Sequence, residues 1–149
     1  VPPVNVVGRH SSLKVGLDGF PVIAYFDLNN SAVKVAKCVN AACTGTSTIT
    51  NVDDPPTELV GTADSLAIGL DGYPVISYYA HSSHFLRVAK CVNAACTGTS
   101  IVTVVDDDPV GVGAYTSIAV LPDGYPVISY HGDASILKVA KCRKTTCAP

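Results

Sequence analysis

The chain has 149 residues, of which 48% are hydrophobic and 15% charged, with a formal net charge of -2. That length holds one ordinary domain, and lysines and arginines scattered through a near-neutral chain leave no electrostatic footprint for nucleic acid. No apolar run is long enough to cross a bilayer as a helix, and a start without Met or a signal-like segment fits a processed chain or part of a larger one.

Residues 1–11, within VPPVNVVGRHSS, match the later join DDPPTELVGTADS and read as the end of a preceding repeat join. A first repeat over 12–64 carries the turn Asp18-Gly19, the pair Cys38/Cys43 and the strand-like TSTITNV. The second repeat, 65–116, is the clearest. Leu66, Ile68 and Leu70 alternate in SLAIGL, a strand signal. Asp71-Gly72 supplies a tight turn, and YPVISYY follows as a β-branched and aromatic strand with Pro74 at its start. A polar connection over His81–His84 leads to FLRVAKC, and after Cys91/Cys96 the stretch SIVTVV makes a fourth strand that stops at Asp106, Asp107, Asp108 and Pro109. The third repeat, 117–149, has the turn Asp123-Gly124 and the pair Cys142/Cys147 but no fourth-strand stretch.

The three Asp-Gly turns recur every 52–53 residues, and VAKCVNAACTGTS at Val35–Ser47 returns unchanged at Val88–Ser100. Four short strands per unit, with no helical period, predict an all-β fold of β-propeller-type four-stranded antiparallel blades in tandem. These strands are apolar on both faces, so each sheet needs neighbours. Small residues at Gly16, Ala24 and Ala36, with counterparts Gly69, Ser77 and Ala89, are expected to let adjacent sheets approach closely. An open stack of meanders, a solenoid and a sandwich are the competing arrangements. Three blades are fewer than the roughly four a closed propeller needs. Completion by another chain or by a longer array is therefore expected.

The series SLAIGLDGYPVISYY, LRVAKC and TGTSIVTVVDD resembles the tandem blades of secreted or surface-exposed bacterial β-propeller repeat proteins. The resemblance runs through nearly the whole chain and implies the repeat class without one biochemical role. No arginine triad of the sialidase sort is present, so glycan hydrolysis is not carried over.

Three C-x4-C pairs favour local disulfides (Cys38, Cys43, Cys91, Cys96, Cys142 and Cys147), each spanning a hairpin neck in an oxidising compartment. Free buried thiols, a thiolate metal site and other pairings stay open. The most variable connection, between second and third strands, offers Asp27, Asn29, Asn30, His81, His84, His131 and Asp133 as ligand-binding candidates. His81 and His84 with Asp27 or Asp133 from other blades would make a small polar site, against the simpler reading of solvated turns. Asp53-Asp54 and Asp106–Asp108 have the chemistry of a calcium site but no EF-hand spacing. Tyr73, Tyr78, Tyr79, Tyr125 and Tyr130, with Phe20 and Tyr25, offer stacking surfaces, although Tyr78 and Tyr79 must lie on opposite faces. Lys37, Lys90 and Lys141 read as edge protection or surface charge.

No nucleophilic triad, phosphate loop or dinucleotide fingerprint occurs. Near-identical blades suit periodic assembly and suit catalysis poorly, because acid and base need unlike environments. The expectation is an extracellular or cell-surface structural protein, a filament or surface-layer subunit, without enzymatic activity, cofactor or metal. Its expected partners are copies of itself, as homo-oligomer or head-to-tail polymer, with no nucleic acid and no membrane span. The alternative is a multivalent glycan-binding adhesin or lectin-like propeller.

Overall fold

The computed structural model describes residues 6–108, 111–132 and 136–149, which contain eleven strands. β1 (Val7–Val15), β2 (Pro21–Asp27), β3 (Ala32–Lys37) and β4 (Thr48–Asp53) form one antiparallel meander. β5 (Val60–Ile68), β6 (Pro74–Ala80), β7 (Phe85–Lys90) and β8 (Ile101–Asp106) form a second. β9 (Ala114–Val120), β10 (Pro126–His131) and β11 (Leu137–Lys141) form a third sheet of three described strands. The architecture is all-β, with tandem antiparallel sheets that resemble propeller blades, and the first strands β1, β5 and β9 stand side by side. Among the described residues no helix is long and apolar enough to cross a membrane.

β6 opens on Pro74, whose missing N–H then breaks no central ladder bond. β5 begins earlier than its alternation indicates, because its register shifts twice, between Val60 and Thr62 and between Thr62 and Ser65. β1 shifts at the matching places. A bulge adds a residue and reverses the alternation, so period-two counting finds only the regular part from Ser65 onward.

Two apolar interfaces hold the blades together. Val22, Ala24, Val33 and Val35 of the first sheet pack on Leu66, Ile76, Tyr78 and Ala89 of the second. Val75, Leu86 and Val88 on the second sheet's other face pack on Ile118, Ile128 and Tyr130 of the third. Each fully buried aliphatic side chain contributes about 1.5–3 kcal/mol relative to exposure, so the interfaces dominate stability. Ala24, Ala89 and Ser77 do lie at 0% exposure in these contacts, as close sheet approach requires.

Gly16 and Gly69 have another purpose. A Cβ at Gly16 would come within 2.8 Å of Asp18 Oδ1 and 3.1 Å of Lys37 Nζ, and one at Gly69 within 2.5 Å of Asp71 Oδ1 and 3.0 Å of Lys90 Nζ. They make room for a clasp inside each of the first two blades. Lys37 donates to Asp18 Oδ1 at 2.8 Å and to the Phe20 carbonyl at 3.0 Å. Lys90 repeats this on Asp71 at 2.8 Å and Tyr73 at 3.1 Å. Lys37 and Lys90 are 7% and 4% exposed, so they are internal ties between the third strand and the Asp-Gly turn instead of surface charge.

The structure bridges Cys38 to Cys43, Cys91 to Cys96 and Cys142 to Cys147. Both cysteines of a pair lie beyond the end of the third strand, not across a hairpin neck. The bridge closes a single turn, in which Asn40 Oδ1 accepts from the amides of Ala42 and Thr44, both at 3.1 Å. The second loop also touches the first blade, where Thr50 Oγ1 donates to the Ala95 carbonyl at 3.2 Å.

Burial disfavours ionised Asp71, yet the Lys90 ammonium and the Tyr73 amide hold its carboxyl below the usual range. A depressed carboxylate contributes stability above its unfolded value of about 3.9, lost as pH falls through the folded value. Lys90→Met should lower stability in urea melts by about 1–2 kcal/mol, a figure already discounted for the half-exposed carboxylate. It should also remove this part of the acid dependence, and an unchanged melt would refute the tie.

Candidate functional site

The start of β1 pairs with the end of β2, the end of β2 with the start of β3, and the start of β3 with the end of β4. The second-to-third-strand loops and the joins between blades therefore share one rim. Most of the candidate residues sit there.

Asp27 is the organiser of the first rim loop. It is 3% exposed and accepts from the Asn29 amide at 3.0 Å, the Asn30 amide at 3.3 Å and Asn30 Nδ2 at 2.7 Å. Lys34 Nζ lies 2.6 Å from Asp27 Oδ2, the oxygen that also accepts from Asn30 Nδ2. Burial opposes the charge of Asp27, while Lys34 and Asn30 hold its carboxyl below the usual range. Its oxygens are engaged within the turn, so it orders Asn29 and Asn30 in place of contacting a ligand. Asn29, Asn30, Asp54, Thr57, Glu58 and Ser82 line a cleft of about 440 Å³ between this loop and the join to the second blade.

The join is tied down on its far side. The Leu59 amide donates to Ser82 Oγ at 2.9 Å, and the His81 amide donates to the Leu59 carbonyl at 2.8 Å. Glu58 accepts from Ser83 Oγ and, at 2.6 Å, from Arg87 Nη2. Asp54 accepts from Asn51 Nδ2 at 2.7 Å. Two carboxylates and several amide and hydroxyl groups thus share one cleft.

His81 and His84 come together beside it, with ring centroids 6.1 Å apart, and Tyr79 joins them at 5.7 and 6.0 Å. The Tyr79 hydroxyl meets His84 Nδ1 at 2.5 Å. Burial raises the Tyr79 phenol above its ordinary value. His131 is elsewhere: it stacks edge-on with Tyr115, 6.1 Å away, on the open face of the third sheet. Asp133 lies outside the described residues. No three His, Cys, Asp or Glu residues converge on a metal position among the described residues.

The acidic joins turn out to be clasps between blades. Tyr78 Oη donates to Asp53 Oδ2 at 2.6 Å, and Tyr130 Oη donates to Asp106 Oδ2 at 2.7 Å. Arg87 approaches Asp53 at 3.5 Å, and Lys138 reaches Asp106 at 3.1 Å and Asp108 at 3.3 Å. Each clasp unites a second-strand tyrosine and a third-strand cation with an aspartate at the end of the preceding blade's fourth strand. Burial raises the Tyr130 phenol far above its usual value, and the bond to Asp106 adds to this. Asp53 and Asp106 each spend Oδ2 on these inter-blade partners. Tyr78, at 0% exposure, is a packing residue; Tyr79 is the rim aromatic of that strand.

Glu58, Thr57 and Ser82 were not among the sequence-derived candidates. The available signal is the loss of repeat identity, since PPTEL in the first join becomes DPVGV in the second.

No family model matches the chain, and no curated protein does. The fold recurs in a GH43 β-1,3-galactosidase solved with galactodeoxynojirimycin, at 12% identity and TM-score 0.58, over 91% of this chain and 42% of that one. It recurs in a thermostable family-43 glycoside hydrolase, at 16% identity and TM-score 0.54, over 94% and 59%. An endo-arabinase from Bacteroides thetaiotaomicron VPI-5482 matches at 13% identity and TM-score 0.56, over 91% and 56%. The chain thus spans about half the length of these structures, and the likeness establishes the fold.

This likeness corrects the expectation of a non-enzymatic structural, filament or surface-layer protein, because all three matched proteins are named as glycosidases. The physical premise behind that expectation also fails. Identity between repeats is confined to strands, Asp-Gly turns and disulfide loops, while the rim segments differ and create unlike environments from like blades.

The inter-blade clasp makes its own prediction. Burial opposes the charge on Asp106, but Tyr130 and Lys138 hold its carboxyl below the usual range. Asp106→Asn should cost about 2 kcal/mol at neutral pH, measured by urea unfolding. The difference from the unmodified chain should close as pH falls through the folded value of Asp106, below the unfolded value of about 3.9. A pH-independent difference would show that the carboxylate charge is not what the clasp uses.

Proposed function

We propose that this chain is the glycan-recognising part of a carbohydrate-active β-propeller that works outside the cell, its three blades belonging to a closed ring. The observation that carries the reading is the rim cleft of about 440 Å³ with Asn29, Asn30, Thr57, Glu58 and Ser82 around it. Amide, hydroxyl and carboxylate groups offer donors and acceptors at the density that sugar hydroxyls present. The Tyr79–His81–His84 cluster beside it supplies planar rings for the apolar face of a pyranose or furanose. Three local disulfides fit an oxidising compartment.

Cleavage is a second reading with one specific support. Glycoside hydrolysis employs paired carboxyl groups, and Asp54 and Glu58 line the same cleft. Both already accept hydrogen bonds from the protein, Asp54 from Asn51 and Glu58 from Ser83 and Arg87, so a sugar hydroxyl would share or displace these partners. The solved relatives in fold motivate the ligands to try: β-1,3-galactan and arabinan oligosaccharides.

Calorimetric titration of the non-reduced chain with both oligosaccharide series should give saturable binding. Asn29→Ala combined with His81→Ala should weaken it at least about tenfold, roughly 1.4 kcal/mol. Release of reducing ends in the same samples tests cleavage, and Glu58→Gln should abolish any that is seen. Absence of binding to either series, or binding indifferent to the double substitution, would remove the rim from consideration.

A further inference from the structure

We propose that His81 and His84 form a binding site for a late first-row divalent cation, of the copper, nickel or zinc class, with Tyr79 as the positioning residue behind His84. The site goes beyond the glycan reading and does not depend on it.

The three rings meet on the rim of the second blade, which has a blade packed on either side of it. A cation roughly 2.0–2.1 Å from one nitrogen of each ring holds two imidazole centroids about 5–6 Å apart. Those of His81 and His84 are 6.1 Å apart. Both residues are exposed, so a small turn of either ring closes the remaining distance. Tyr79 Oη lies 2.5 Å from His84 Nδ1. In the metal-bound arrangement Nδ1–H donates to the phenol oxygen, and Nε2 of His84 keeps its lone pair for the ion.

The backbone presents both imidazoles from fixed points. The His81 amide donates to the Leu59 carbonyl at 2.8 Å and the His84 amide to the Ala80 carbonyl at 2.8 Å. The Val112 amide donates to the His84 carbonyl at 3.0 Å, tying the loop to the next join. Donors held in this way lose little freedom when an ion arrives. The turn itself asks for no histidine. His84 has φ +63°, and Ser31 adopts φ +54° at the same place in the first blade. There Phe26, Leu28 and Ser31 hold the positions of Tyr79, His81 and His84, so the same turn forms from residues that bind no metal.

Donor chemistry selects the ion. Neutral imidazole suits copper, nickel and zinc, whereas calcium and magnesium take oxygen ligands. All six cysteines are bridged, so no thiolate competes. Asp54 and Glu58 line the adjoining cleft, and among the described residues only Glu58 of the two is paired with a cation, Arg87. The local charge therefore favours a cation. Coordination uses the in-plane lone pair at the edge of each ring, which leaves the ring faces to a sugar.

Copper(II) titration of the non-reduced chain, followed by electron paramagnetic resonance, should show one site per chain with splitting from two imidazole nitrogens. His81→Leu and His84→Ser install the residues that the first blade already folds with, and each should leave one nitrogen and weaken binding more than about tenfold. Tyr79→Phe, also a first-blade residue, should keep both nitrogens yet weaken binding about tenfold. His10→Ala and His131→Ala should change neither readout. Zinc should raise the urea midpoint of the unmodified chain and leave that of the His81→Leu/His84→Ser double variant unmoved. A two-nitrogen signal or a zinc shift that persists in the double variant places the ion elsewhere and overturns the site. A chain that takes up neither metal overturns it equally, and a Tyr79→Phe variant of full affinity overturns the positioning role.

Discussion

Each sheet of this protein is apolar on both faces, and a single sheet has no way to hide both from water. Everything else follows from that need for neighbours. Val33 and Val35 on one face of the first blade and Leu66 and Ile76 on the facing side of the second are fully buried only because the blades stack. The middle blade, covered on both sides, buries nearly all of β6. The same apolar positions on the outer faces of the first and third blades remain open to solvent.

Apolar stacking alone would permit sheets to slide, because aliphatic surfaces carry little directional information. The polar clasps remove that freedom. An aspartate at the end of one blade receives a tyrosine hydroxyl and a cation from the next, as at Asp53 with Tyr78 and Arg87. Charged hydrogen bonds of this kind demand fixed geometry and are costly to leave half made. A second set, Lys37 on Asp18 and Lys90 on Asp71, fixes each turn against its own third strand. With strands and turns locked by repeated devices, the rim loops are free to differ, which is how a repetitive chain builds a non-repetitive cleft.

That division of labour explains why a functional reading belongs to the rim. Asp27 is spent on shaping its loop, and Asp53 and Asp106 are spent on holding blades. The groups that line the cleft, among them Asn29, Thr57, Glu58 and Ser82, come from segments where the repeats part company. The fold itself is shared with solved glycosidases at 12–16% identity.

Much of the architecture was legible in the chain itself. Period-two alternation, Asp-Gly turns and the strand-opening Pro74 are local features, set by backbone sterics and by which side chains seek water, so they reveal the strands and their succession. The bulged beginnings of β1 and β5 were not legible, because an inserted residue reverses the alternation that marks a strand. Nor was the fate of the charged residues. Lys90 reads as a surface charge until its bond to Asp71, nineteen residues away, is seen, and Asp53 reads as an open carboxylate until Tyr78 reaches it from twenty-five residues on. Local sequence determined the blades and their turns; only tertiary structure decided which polar groups are consumed in holding blades together and which line the rim, because the partners that consume them come from distant positions, often from the next blade.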